Sequence, residues 1–576
     1  MKGTGVSAGI GIAQALMWQP ALTQDYVPRK SGRPEIEIDR FDTALANILN
    51  KNNDLRAKTA LRLGDGEAAI FDAYAMMLQD EEAVIRPTKE NIRLRSLSAE
   101  YAVTLQFGEL ARSFLEMDNE YMRQRAEDVF NLRDQLLREM MGMPVAEASH
   151  LDRPTIVVAH ALTPGDLANL DISRLEGIVC ETGGYSSHMS ILSRTLGVPA
   201  VVGATGILEC VEEGDVLALD GESGEIWVNP DKSEIEMLRS RADTLFEKRE
   251  QAQLFRGRPT ITTDGRRVEL SANVGQLEEV DTAISADAES IGIYRTEILH
   301  ISYTPLPSEE DQLREYRVLL EKMNGKAAVV RTFDDGGNRP ALVLKAREEE
   351  NPMMGYRGIR MCLGRPSFFR TQLRALLRAS AYGSLKIIFP MISSLEELRD
   401  AKAALEAIKN ELRREDVPFD EQIPVGILIS VPSSALLSEV LASEVDFFSI
   451  GINDLIQFTL AVDRGSPDLN YLYHMYHPAV LRLVKWTVDA AHHHGIPCNI
   501  CGEAQGYEKV LPLLLGLGLD GFSVNPGLVL SSRRILNSCS FSECKRFADE
   551  TLQLHTAAEV ERKLRGAKLC EPEYPN

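Results

Sequence analysis

Apolar residues recur at helical spacing from about position 35 to position 143. Phe41, Leu45, Ile48 and Leu49 fall on one face, and the stretches 71–78, 101–115 and 121–141 repeat the pattern. This predicts four amphipathic helices packed as a small bundle. Residues 1 to about 20, small and glycine-rich, predict a short strand and a turn. After Pro154 the period changes. Short β-like runs follow one another at Thr155 (TIVVA), Gly177 (GIVC), Pro199 (PAVVG), Asp215 (DVLAL) and Glu225 (EIWV), separated by Gly–Gly and Asn–Pro breaks. They predict a compact α/β unit with the helical bundle inserted after its first strand.

A charged helical stretch from 231 to about 257 then reads as a linker helix. Beyond it come eight apolar runs, at Val268, Ser290, Ala327, Leu385, Val425, Val445, Pro497 and Leu519, with helical segments between several of them. Eight strands over about 260 residues is the arithmetic of a (β/α)8 TIM barrel, and a long doubly wound sheet is the runner-up. The expected divisions are 1–20 with 145–230 for the α/β unit, 21–144 for the bundle, 231–257 for the linker and 258–576 for the barrel.

Length and charge narrow the class. The chain has 576 residues, which suggests three or four domains at about 150 residues each. Lys and Arg number 63 against 85 Asp and Glu, a net charge of −22, which argues against nucleic acid as the main partner. Eight cysteines over this length make no disulfide framework, so a reducing cytosol is the default. The longest apolar runs, such as LPLLLGLGL at 511–519, are about half a membrane span, and the start has a single Lys2 and no apolar signal core. The expectation is a cytoplasmic protein with no membrane insertion.

In a barrel the active site lies at the C-terminal ends of the strands. The second run ends in Arg295, the third in Arg331, the fifth in Ser430, the sixth in Asn453–Asp454 and the seventh in Cys501–Gly502–Glu503. Arg464 follows the sixth in AVDRG, and Arg357 sits in NPMMGYRGIR. A single arginine is as readily a surface ion pair, but several at equivalent strand ends need an anion, a phosphate or carboxylate gripped bidentately. An Asp beside an Asn suits Mg²⁺ bridged to that anion.

Cys498 and Cys501 form C-x-x-C, with His492–His494 ahead of them. Within one strand the two thiols face different sides, and no second pair completes a zinc site, so the histidines read as a solvated helix end. His188 is the second centre, in CETGGYSSHMSILSR, after a strand and a Gly–Gly turn at the start of a helix. Ser186 and Ser187 can cap that helix, whose free N–H groups favour a phosphate. There His188 reads as a phosphoryl acceptor.

Together these segments resemble the phosphoenolpyruvate-utilising enzyme family, and within it the enzyme I group of the bacterial phosphotransferase system. The resemblance rests on GVSAGIGIA, DAYAMMLQDEE, RAEDVFNLRDQLL, LTPGD, GGYSSHMSILSR, IGIYRTE, VVRTFDDGG, ENPMMGYRGIR, QLRALLRAS, FPMI, VDFFSIGINDLIQFTLAVDRG, HPAVL and CGE, in order along the chain. It implies that His188 is a phosphohistidine on a swivelling α/β domain. Arg295, Arg331, Arg357 and Arg464 would bind phosphoenolpyruvate (PEP), with Asn453 and Asp454 at its phosphate and Mg²⁺. Cys501 would protonate the enolate to give pyruvate. The bundle would dock a small histidine phosphocarrier protein, the next acceptor in the first step of sugar uptake, and the barrel would form a homodimer.

The chain also departs from the family's pattern. Ser430 stands where a Glu would be the second Mg²⁺ ligand, Asp335 replaces an apolar residue, Asn338–Arg339 replaces Asp–Lys, Tyr185 replaces an Arg, and Gln505 and Tyr507 alter the segment after Cys-Gly-Glu. Two readings follow: a working enzyme in which Asp335 supplies the missing charge as a metal ligand, or a catalytically impaired regulatory paralogue that binds PEP or the carrier without efficient turnover. A dikinase-like reading is disfavoured, because it asks for an ATP-binding domain ahead of the histidine, and the 187 residues before His188 are mostly helical with no Gly-rich phosphate loop.

Overall fold

The computed structural model describes residues 1–18, 31–63, 65–115, 120–142, 151, 153–162, 166, 170, 172–183, 189–190, 193, 196–302, 306–334, 349–463, 469, 471–502, 507–567 and 569–570. The chain divides into two compact units, Met1–Glu247 and Lys248–Asn576.

The first unit contains a seven-stranded sheet built from β1 (Thr4–Ser7), β2 (Ile10–Trp18), β3 (Thr155–Ala159), β4 (Leu175–Cys180), β5 (Ala200–Val202), β6 (Val216–Asp220) and β7 (Glu225–Val228). Their order is β1-β5-β4-β3-β2-β6-β7, parallel from β2 through β5, with β1, β6 and β7 antiparallel to their neighbours. The run TIVVA is buried throughout because both faces of β3 are covered. Val157 and Ala159 point into one apolar layer, Ile156 and Val158 into another. The glycines at the start serve close packing: a Cβ on Gly11 would lie 2.1 Å from the carbonyl oxygen of Glu176.

Two expectations for this unit are corrected. The helical segment follows the second strand of the sheet, not the first, since the glycine-rich start folds into both β1 and β2. The segment also holds five described α-helices rather than four, Pro34–Leu63, Asp65–Leu78, Arg86–Arg95, Ala99–Leu115 and Glu120–Met141, with a π-helical turn, Glu81–Ile85, leading into the third. The one not foreseen, Arg86–Arg95, has Pro in its first turn and buries only Thr88 and Ile92, so its apolar stripe is too thin to read. Phe41, Phe71, Leu78, Phe107, Val129 and Leu136 form the shared core. The charged stretch after β7 is a helix, Lys232–Gln253.

The second unit is a closed parallel barrel of β8 (Glu269–Val274), β9 (Ile291–Arg295), β10 (Ala328–Arg331), β11 (Leu385–Phe389), β12 (Val425–Ile429), β13 (Phe447–Gly451), β14 (Cys498–Cys501) and β15 (Gly521–Val524). All eight predicted runs are strands. The doubly wound alternative fails because β8 pairs with both β9 and β15. Most core residues lie between strands and helices, while Ile293, Val329, Ile388, Leu428, Phe447 and Cys501 form a separate cluster. Cys498 belongs to the larger layer, so the C-x-x-C thiols face different sides of β14. No helix among the described residues is long and apolar enough to cross a membrane. One disulfide, Cys539–Cys570, departs from the fully reduced state the cysteine count suggested. It depends on the return of the chain through helices Phe541–Thr551 and Ala557–Gly566, which the count could not show.

Candidate active site

Parallel pairing brings the strand ends into register, and with them the chemistry. Arg295 and Arg331 are partners at the ends of β9 and β10, and Gly451 and Cys501 are partners at the ends of β13 and β14. Arg295 is exposed, whereas Arg331 is buried. Arg331 Nη2 donates to Glu297 Oε1 at 2.7 Å, and Nη1 donates to Asp334 Oδ2 at 3.4 Å. Arg357 is held more tightly. Its Nε and Nη2 donate to Asp334 Oδ1 and Oδ2 at 2.8 Å each, and Nη2 also lies 3.4 Å from Asp454 Oδ2.

Burial works against the charge on both arginines and is overcome by Glu297 and Asp334 for Arg331, and by Asp334 and Asp454 for Arg357, so both stay cationic. The pairs do not exhaust their donors: Arg331 Nε is buried with no hydrogen-bond partner. An unmatched N–H on a buried cation favours an incoming anion.

Backbone conformation sets these groups in place. Gly358, at φ +56°, begins helix Gly358–Gly364 directly after Arg357. A Cβ there would stand 3.0 Å from Met391 Cγ and 3.5 Å from Asp334 Oδ1, so a larger residue would crowd the pair. Beneath them runs a buried chain of hydrogen bonds. Gln372 Oε1 accepts from the Phe333 N–H at 2.9 Å, Gln372 Nε2 donates to Thr296 Oγ1 at 3.1 Å, and Thr296 Oγ1 donates to the Arg331 carbonyl at 3.0 Å. It ties the loop after β9 to the loop after β10.

Across the mouth, Asn453 and Asp454 open helix Ile452–Leu460, directly after β13. The Asn453 carbonyl accepts from Tyr473 Oη at 3.1 Å, while its Oδ1 is buried and unpartnered. Gly502, at φ +135°, lets β14 end against this turn: a Cβ would lie 2.6 Å from Ile452 Cγ2. Ser430 follows β12 with its Oγ buried and unpartnered, and a Cβ on Gly451 would be 2.7 Å from that oxygen. Asp454 carboxylate, Asn453 Oδ1 and Ser430 Oγ are all hard oxygen donors, two of them lacking a partner, and this set fits a hard divalent cation. Only one of the three carries charge.

Cys501 completes the mouth. Burial pushes its thiol above the ordinary value and Asp454 adds to this, against a hydrogen bond with Ser449 and the charges of Arg331 and Arg295. It therefore stays protonated at neutral pH, the state a proton donor requires.

Of the predicted site residues, Arg331, Arg357 and Asp454 converge on one ion-pair network, Asn453, Ser430 and Cys501 occupy neighbouring strand ends, and Arg295 stands at the rim. His188, Arg464 and Asp335 lie outside the described residues, as do Glu503 and Gln505. Sequence reading passed over Asp334 and Glu297. A signal for both existed, because an arginine at a buried strand end needs a carboxylate, and TFDD and RTE offer one within three residues of Arg331 and Arg295.

Three family models match along the chain: the N-terminal part of PEP-utilising enzymes over residues 2–125, their mobile domain over 151–224, and their PEP-binding domain over 249–541. The phosphoenolpyruvate-protein phosphotransferase of Staphylococcus carnosus (strain TM300) is 40% identical over 561 residues, covering 97% of this chain and 97% of its own length. The chain belongs to the PEP-utilising enzyme family. A second relative of the same name, from Bacillus subtilis (strain 168), is 38% identical over 562 residues, 97% of this chain and 98% of its own. In this family member, the residues of the ion-pair network all fall inside the PEP-binding match, and position 188 falls inside the mobile-domain match.

Proposed function

We propose that the chain transfers the phosphoryl group of PEP to His188 and from there to a histidine of a small phosphocarrier protein, releasing pyruvate, as the first step of sugar uptake by a phosphotransferase system. The observation that carries this reading is the pair of buried arginines, Arg331 and Arg357, beside a protonated Cys501 at one end of the barrel. PEP is a compact trianion, and fixed guanidinium groups in a water-poor mouth neutralise it without reorganisation.

The steps balance as follows. An imidazole nitrogen of His188 attacks phosphorus, the bond to the enol oxygen breaks, and the charge left on the enolate is met by Arg331, Arg357, Arg295 at the rim, and Arg464. The Cys501 thiol gives its proton to the enolate methylene carbon, yielding pyruvate, and the thiolate is reprotonated from solvent. Asp454, Asn453 and Ser430, with Asp335 as an added carboxylate, would hold Mg²⁺, which would supply further positive charge to the PEP phosphate.

The same proposal covers the architecture. Residues 1–20 with 145–230 form the phosphohistidine domain, 21–144 dock the carrier, 231–257 link, and 258–576 form the PEP-binding barrel. The protein acts in the cytoplasm. The barrel pairs with a second copy, which suits the exposed Leu436, Val440 and Trp486 on neighbouring helices and Leu437 at the junction of two of them.

Labelled PEP with Mg²⁺ tests the reading. It predicts acid-labile label on the protein, absent in His188→Ala, and chased onto an added carrier. No label on the wild-type protein under these conditions overturns it in favour of a regulatory paralogue.

A further inference from the structure

Away from the barrel mouth, three sulfurs converge near the end of the chain. Cys539 and Cys570 are bridged with their Cα atoms 4.8 Å apart, and the sulfur of Cys544 lies within 4.8 Å of both. Cys539 and Cys544 are fully buried, while Cys570 is partly exposed.

Their setting is the floor of the barrel, opposite the mouth. The Cys539 carbonyl accepts from the Thr263 N–H at 2.9 Å and from Thr263 Oγ1 at 3.2 Å, in the segment leading into β8. Beside it the Asp264 carboxylate accepts from the N–H groups of Phe541 and Ser542 at 2.9 Å each. Cys544, in helix Phe541–Thr551, marks the closest approach of helix Tyr507–Gly516: a Cβ on Gly516 would be 2.0 Å from the Cys544 carbonyl oxygen.

A closed zinc site needs four ligands, and the described residues bring only these three sulfurs together at this place. Exposure singles out Cys570, and the bridge geometry, not burial, singles out Cys539 as its partner. Burial, with Glu543 and Asp264 nearby, pushes the Cys544 thiol up to about 12, so it holds its proton and lacks the attacking thiolate form. Cys570 alone of the three is reachable from solvent.

We propose that Cys570 is a site of reversible oxidative modification, joining Cys539 under oxidising conditions to staple the chain end to the barrel floor, with Cys544 as a buried bystander. The Cys570 thiolate attacks a low-molecular-weight disulfide, forms a mixed disulfide and expels one thiolate. Cys539 then attacks the Cys570 sulfur and expels the second. The two protons lost by the cysteines end on the two small thiols, and the two electrons pass to the small disulfide that oxidised the pair. Closing a loop with a sequence separation of 31 removes freedom from the unfolded chain and stabilises the helices around the floor.

The full-length protein is incubated with glutathione disulfide or with dithiothreitol, denatured, tagged with an alkylating reagent and read by peptide mass spectrometry, with thermal unfolding of the same samples. Oxidation should protect Cys539 and Cys570 but leave Cys544 taggable, and should raise the barrel's unfolding midpoint by several degrees. Cys570→Ser should lose both the protection of Cys539 and the shift, while Cys544→Ser keeps both. Equal tagging of Cys539 under the two conditions, a midpoint shift that persists in Cys570→Ser, or zinc bound one-to-one by the reduced protein would each overturn the proposal.

Discussion

Asp334 and Arg357 meet through two parallel contacts of 2.8 Å, with 0% and 3% of their side chains exposed, at the C-terminal end of the barrel strands. The same carboxylate also faces Arg331 at 3.4 Å, so one acid fixes two cations. A carboxylate inside an anion site looks self-defeating. Its physical role is to keep both guanidinium planes oriented and charged in a buried place, leaving their remaining N–H groups for the substrate.

Asp334→Ala should therefore act on binding and stability together. Removing one partner of a buried pair costs about 3–5 kcal/mol. The expected outcome is a lowered barrel unfolding midpoint and a raised KM for PEP in steady-state pyruvate release. An unchanged KM would show that the arginines are oriented without Asp334.

Cys501→Ser should separate the two halves of the reaction. Loss of a general acid costs about 10²–10⁴ in rate, whereas phosphoryl transfer to His188 does not use the thiol. Rapid-quench measurement should find single-turnover labelling largely retained and pyruvate formation slowed. Because burial raises the Cys501 thiol, the wild-type alkaline limb should fall at a pH above that of an ordinary cysteine.

His300 gives a pH signature for the barrel. Burial depresses it from 6.5 to about 4, with the Thr296 carbonyl 2.8 Å from its Nδ1 and the rings of Phe333 and Phe368 against it. The neutral form is favoured in the folded state, so this contribution is complete above pH 6.5 and is lost as pH falls toward 4, for a total of about 3 kcal/mol. Denaturant unfolding between these values should show the slope, and His300→Phe should flatten it.

Ser430→Glu should tighten the cation site by adding a second charge to Asp454. Calorimetric titration of Mg²⁺ should give a lower dissociation constant than in the wild type. Equal affinities would place the cation away from Ser430.

The sequence alone determined the barrel, since eight apolar runs with helical spacers are countable and each became a strand. It also placed Arg331, Asn453, Asp454 and Cys501 at the mouth, because in a parallel barrel the end of a strand is the active face. The helix Arg86–Arg95 escaped, since a mostly charged segment with two buried residues carries almost no periodic signal. Pairing across distance belonged to the tertiary structure. It decided that the glycine-rich start gives two strands of the sheet, that Asp334 and Glu297 hold the arginines, and that Cys539 meets Cys570. Each depends on residues far apart in the chain or on which neighbour a buried charge faces, and linear spacing records neither. The pattern of hydrophobicity encodes which elements form, and burial in three dimensions decides which of two adjacent acids becomes the partner of a cation.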